Sequence, residues 1–130
     1  MSAFNIFILM VLMHIIDDFV FQPVCLSKLK QKKLWIEECK KQGLPFKKYE
    51  DDYIMALVCH SASWSAMILL PIIFWMPNCE WLCAVWFINA LIHSLIDNLK
   101  ANEFKLNLVQ DQFLHLVQIL ITLISIIILQ

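Results

Sequence analysis

Residues 53–99 read YIMALVCHSASWSAMILLPIIFWM, then PNCE, then WLCAVWFINALIHSLIDNL. Each outer run is about as long as the roughly 20 apolar residues that a bilayer core requires. Pro77-Asn78-Cys79-Glu80 between them leaves room only for a tight reversal, so the pair reads as an antiparallel helical hairpin. Working outward, one further apolar segment lies on each side. The spacing predicts helices over about 3–22, 53–76, 81–99 and 108–129, joined by a basic loop over 23–52. The expected fold is all-α, an integral membrane four-helix bundle, with residues 1–130 forming a single transmembrane domain.

Composition agrees with that class. The 130 residues are 61% hydrophobic with a single glycine, and their mean hydropathy is +0.71. This is more apolar surface than a soluble core of such size needs. All ten basic residues are lysines, and eight of them fall between Lys28 and Lys48. That local patch excludes a nucleic-acid-binding surface spread over a fold. Five cysteines, at 25, 39, 59, 79 and 83, have no C-x2-C spacing; they signal neither a disulfide framework nor a thiolate zinc site. The first segment lacks a basic n-region and carries His14, Asp17 and Asp18, so it is expected to stay in the mature protein.

Lysine placement sets the expected orientation. Both lysine-bearing loops, 23–52 and 100–110, belong in the cytoplasm by the positive-inside rule, which puts both termini on the non-cytoplasmic side of a bacterial inner membrane. Lysines 28–48 read as a solvated loop. With Leu26, Leu29, Leu34, Trp35 and Ile36 interleaved, the stretch before Gly43-Leu44-Pro45 also reads as a short helix on anionic lipid. Besides the bilayer, a homo-oligomer is an open arrangement.

All four histidines lie in the apolar segments, and three are paired with an acid at helical spacing: His14-x3-Asp18, His93-x3-Asp97 and Asp111-x3-His115, with His60 as the fourth. Residues four apart share a helix face, so each pair directs two groups at one spot. In the expected topology each histidine lies roughly 6 to 11 Å below the cytoplasmic interface, given about 1.5 Å of rise per residue. A single intramembrane histidine ordinarily makes an interhelical hydrogen bond. Four at one depth with several acids point instead to a site. The outer halves read as Ile, Leu, Phe, Met and Trp, with no polar path continuing beyond the cluster.

Imidazole and carboxylate donors without thiolate suit Zn, or else Mn or Fe. His14, Asp18, His60, His93, Asp97, Asp111 and His115 are the candidate ligands, sufficient for one ion, or two if some bridge. Gln22 and Gln112 are candidates for orienting ligands, and Lys100 for holding a phosphate. With Asp18, these three make up the candidate catalytic set.

The stretches HIIDDFVFQ at 14–22, His60, HSLIDNLK at 93–100 and DQFLH at 111–115 resemble, in order and spacing, an uncharacterised family of small bacterial and phage membrane proteins, a domain of unknown function in the 3300s. The likeness covers nearly the whole chain. It implies a polar set of His14, Asp18, Phe19, Gln22, His60, His93, Asp97, Lys100, Asp111, Gln112 and His115. Asp17 stands where that family more often has a small or apolar residue, and the basic loop matches only at Lys30. The paired H-x3-D elements are more distantly similar to membrane-bound metal-dependent hydrolases, which implies hydrolytic chemistry. The expected function is metal-dependent hydrolysis of a phosphoester or lipid head group at the cytoplasmic face. Two other classes stand beside it: an ion- or proton-binding transport or sensing module, and a non-enzymatic phage or host membrane interaction protein.

Overall fold

The computed structural model describes residues 2–129, apart from the side chains of Cys25 and Phe46; Met1 and Gln130 lie outside the described residues. In chain order come α1 (Ala3–Ile16), a π-helical turn (Asp17–Phe21), α2 (Val24–Leu29), α3 (Lys32–Lys41), α4 (Phe46–Tyr49), α5 (Asp52–Trp75), α6 (Leu82–Ala101) and α7 (Leu108–Leu129). Among the described residues, four helical stretches are long and apolar enough to cross a membrane: Ala3–Phe21, Lys47–Trp75, Leu82–Ala101 and Leu108–Leu129.

These four form a bundle in which α5 packs on α1 and α6, and α7 packs on α6 and α1. One side of the bundle interior is apolar, built from Ile6 and Met10 of α1, Trp64, Ile68, Leu69 and Ile72 of α5, and Ile119, Leu123 and Ile126 of α7. The outer surface is also apolar: Phe4, Phe74, Phe87, Ile121 and Ile128 are all more than half exposed. A surface of this kind suits a lipid environment. Pro71 sits inside α5, a position that membrane helices tolerate better than soluble ones.

The basic segment is not an irregular solvated loop. It folds into α2, α3 and α4. α3 ends where Gly43 takes φ +67; the Leu44 N–H then reaches the Cys39 carbonyl at 2.9 Å and the Gly43 N–H reaches that of Lys40 at 3.2 Å. This double bond pattern stops a helix at a left-handed residue that glycine adopts without steric cost. Cys39 is buried, Cys59 and Cys83 are exposed, Cys79 is intermediate, and all four are free.

The helix C-terminus of α6 receives this segment. Asn102 Oδ1 accepts from the Lys32 backbone N–H at 2.7 Å, and its Nδ2 donates to the Lys30 carbonyl at 3.1 Å. Lys30 is thereby held over the bundle end that carries Asp97 and Asp111. At the opposite end the turn at Asn78–Trp81 and Leu129 border a common cavity.

Candidate metal centre

The local backbone of α1 decides how two adjacent acids are used. Successive side chains on an α-helix diverge by about 100°, so Asp17 and Asp18 would ordinarily face different ways. The π turn widens the ring, with the Gln22 N–H reaching the Asp17 carbonyl at 2.9 Å, and insertions of this type concentrate at functional sites. Both acids meet His60 of α5: Asp18 Oδ1 lies 3.5 Å from Nε2, and Asp17 Oδ2 lies 3.8 Å from Nδ1. Asp17 also accepts from Ser63 Oγ at 2.8 Å.

From there the cluster crosses to α6 and α7. His60 Nε2 is 3.2 Å from His93 Nε2 and 3.4 Å from Asp97 Oδ2. The other Asp97 oxygen, Oδ1, lies 3.7 Å from His93 Nε2 and 3.4 Å from His115 Nε2. His115 Nε2 is in turn 3.4 Å from Asp111 Oδ1. The rings of Trp64, His93 and His115 stack in sequence, with centroids 4.1 and 4.2 Å apart, so packing fixes the plane of each imidazole. His60, His93, Asp97, Asp111 and His115 are all buried.

Two groups within this cluster could hold a metal ion, Asp18 with His60 and His93, and His93 with Asp97 and His115. The spacing fits that use. At 3.4 to 3.7 Å these contacts are too long for good hydrogen bonds. Ligands about 2.0 to 2.2 Å from a tetrahedral ion stand about 3.3 to 3.6 Å from one another. Asp18 Oδ1, Asp111 Oδ1 and His115 Nε2 are buried without a hydrogen-bond partner, a condition that costs stability unless something else satisfies them.

His14 stands apart from the other expected ligands. Trp64 Nε1 donates to His14 Nδ1 at 2.7 Å. An indole can only donate, so the proton of the neutral imidazole sits on Nε2, which donates to Gln112 Oε1 at 3.2 Å. Both ring nitrogens are thus engaged, and no lone pair remains for an ion in this arrangement. Gln112 links His14 to the site by donating from Nε2 to Asp111 Oδ2 at 3.1 Å.

The remaining expected residues line the mouth. A cavity of about 280 Å³ is bordered by Gln22, Ser27, Lys30, Gln31, Asp97 and Lys100. Lys30 Nζ donates to Asp97 Oδ2 at 2.7 Å and Lys100 Nζ to Asp111 Oδ2 at 2.5 Å. Gln22 Nε2 is buried and without a partner there.

No protein-family model matches this chain, and neither does any curated protein or solved structure. Its functional reading rests on its own residues.

A second polar cluster overturns the expectation of purely apolar outer halves. Gln118 Nε2 donates to the Asn89 carbonyl at 2.9 Å and to Asn89 Oδ1 at 3.0 Å, and Thr122 Oγ1 donates to Asn89 Oδ1 at 2.8 Å. The signal for it was present: Asn89 precedes His93 by four residues, and Gln118 and Thr122 follow His115 by three and seven, so all three continue the polar faces of α6 and α7. Trp64 was missed for another reason, since it resembles the other tryptophans of the apolar segments, and Lys30 was singled out by the family resemblance alone and given no role at the site.

Proposed function

We propose that this chain is a membrane-embedded, metal-dependent hydrolase that takes a phosphoester or lipid head group at the cytoplasmic face of a bacterial inner membrane. The observation that carries this reading is the set of buried nitrogen and oxygen atoms at ligand-to-ligand spacing, opening onto a mouth flanked by Lys30 and Lys100. Asp18, His60, His93, Asp97, Asp111 and His115 hold the metal, Zn first by the chemistry of the donors, with Mn or Fe as alternatives. Such an ion supplies Lewis acidity and activates water at neutral pH. In the hydrolysis a water oxygen bonds to phosphorus and the ester P–O bond breaks. One water proton passes to the leaving alcohol, and the other stays on the product phosphate or leaves it by ordinary ionisation.

The protein's own groups have separable roles. Lys30, Lys100 and the free amide donor of Gln22 orient an anionic group in the mouth. Asp17 lies behind His60, and Gln112 braces Asp111, as outer partners of ligands commonly do. The lysine-rich helix α3 is suited to lie on anionic lipid, and the lysines set both termini outside. The Asn89–Gln118–Thr122 cluster favours a second reading, ion or proton transport, because it extends the polar line beyond the site.

The test is elemental analysis of detergent-purified protein prepared without chelator, followed by phosphate release from a panel of soluble and lipid phosphoesters. Bound metal with turnover supports the hydrolase. Metal-free protein sinks the metal reading. Metal without turnover, together with ion flux in proteoliposomes, assigns the chain to transport.

A further inference from the structure

The Asp97 carboxylate faces two different neighbourhoods with its two oxygens. Oδ2 lies toward His60, at 3.4 Å, and Oδ1 toward His115, also at 3.4 Å. No other acid in the cluster contacts histidines through separate oxygens in this way except Asp18, whose second contact is to His14, and His14 has both nitrogens engaged.

His93 belongs to both candidate groups, but a neutral imidazole nitrogen carries one lone pair and serves one ion. Assigned to the side of Asp18 and His60, it leaves His115 Nε2, Asp111 Oδ1 and Asp97 Oδ1 together. Assigned to the side of His115, it leaves Asp18 Oδ1, His60 Nε2 and Asp97 Oδ2 together. Either choice leaves three protein donors at one position and four at the other; the three-donor position is the one that keeps a place open, as hydrolytic sites do. In both, one Asp97 oxygen goes to each side. A single ion would leave one flank of buried, unpartnered donors unexplained: Asp18 Oδ1 on one side, or Asp111 Oδ1 and His115 Nε2 on the other.

Resting on the metal reading above, we infer that the cluster is a two-ion centre bridged by the Asp97 carboxylate, and that it takes a phosphate ester whose phosphoryl group lies in the mouth between Lys30 and Lys100. Paired ions clamp the attacking and leaving oxygens of phosphoryl transfer. Charge favours the same ligand. Two divalent ions with Lys30 and Lys100 outweigh the carboxylates Asp17, Asp18, Asp97 and Asp111, and a phosphate dianion offsets the excess. Gln22 Nε2, buried without an acceptor at the mouth, gives that anion a neutral donor.

The experiment uses full-length protein in detergent. Zinc content should reach two per chain, and loading with Mn²⁺ should give an exchange-coupled EPR spectrum. His115→Ala and His60→Ala should each lower the zinc content to about one and abolish the coupling, with helix content followed by circular dichroism to exclude unfolded variants. One metal ion per chain with no coupled spectrum overturns the two-ion centre and leaves the proposed hydrolase standing; no bound zinc, manganese or iron overturns both. Inorganic phosphate should perturb the coupled spectrum, and Lys30→Ala should weaken that effect by about tenfold or more, the worth of one charge-assisted hydrogen bond. Glycerol phosphate and phosphatidate in mixed micelles, compared as competitors, separate a soluble ester from a lipid head group. Competition by neither overturns the phosphate assignment.

Discussion

Lys30 and Asp97 form an ion pair of 2.7 Å between the segment after α1 and the C-terminal turn of α6, with only 14% and 5% of their side chains exposed. Removing one partner from a buried pair leaves an uncompensated charge, at a cost of about 3 to 5 kcal/mol. Lys30→Ala is therefore expected to lower the thermal stability of chelator-treated protein sharply. In metal-loaded protein, where a cation neutralises Asp97, the loss should be much smaller. Lys100→Ala should cost less in both forms, because Lys100 is 35% exposed and Gln112 still donates to Asp111. Unfolding curves in detergent with and without chelator make the comparison; equal losses for Lys30→Ala in the two forms would show that no cation faces Asp97.

Trp64 and His14 yield a second prediction. Because both nitrogens of His14 are engaged, His14→Ala should retain the metal content of the wild type while losing stability. Trp64→Phe keeps an aromatic ring in a fully buried site but removes the donor to Nδ1, with an expected cost of about 1 to 3 kcal/mol for the unsatisfied acceptor. Elemental analysis and thermal unfolding of both variants check this. Loss of metal from a folded His14→Ala protein would return His14 to the ligand set.

What was legible in the sequence follows from which physics is local. Apolar length and the Pro77–Glu80 turn depend on neighbours in the chain, so the four long apolar helices could be read directly. The His/Asp pairs were legible because their spacing is helical and their motif order places them at one end of the bundle. The partner of His14 was not, since a hydrogen bond across 50 residues leaves no periodic mark. Nor was the π turn: nothing in HIIDDFVFQ distinguishes it from regular helix, yet it is what brings Asp17 and Asp18 to one histidine. Nothing in the residues themselves separates Lys30 from the other lysines of the loop, and its place at the site comes from the backbone contact of Lys30 with Asn102.

The Asn89–Gln118 contact joins α6 to α7 within the hydrophobic part of the bundle. Interhelical hydrogen bonds in membrane proteins average about 0.6 kcal/mol and reach about 1.7 kcal/mol in double-mutant cycles. A cycle built on Asn89→Ala and Gln118→Ala should give a coupling in that range, since Gln118 Nε2 meets two acceptors on the same residue. Reversible unfolding in mixed micelles supplies the four stabilities. A coupling near zero would mean that the bilayer-like environment satisfies each residue separately.

The orientation of the bundle decides which compartment supplies the substrate. The eight lysines of residues 28–48, together with Lys100 and Lys105, belong to segments gathered at the end carrying the mouth, while Leu129 borders the Asn78–Trp81 turn at the other end. Lysine bias over short loops sets orientation, so a reporter inserted at Lys40-Lys41 should be cytoplasmic and one fused after Gln130 periplasmic. Paired phosphatase and fluorescent-protein fusions at both positions make the assignment. A cytoplasmic C-terminus would turn the mouth, Lys30 and Lys100 to the outer face, and substrates would then have to come from the outer leaflet or the periplasm rather than from the cytosol.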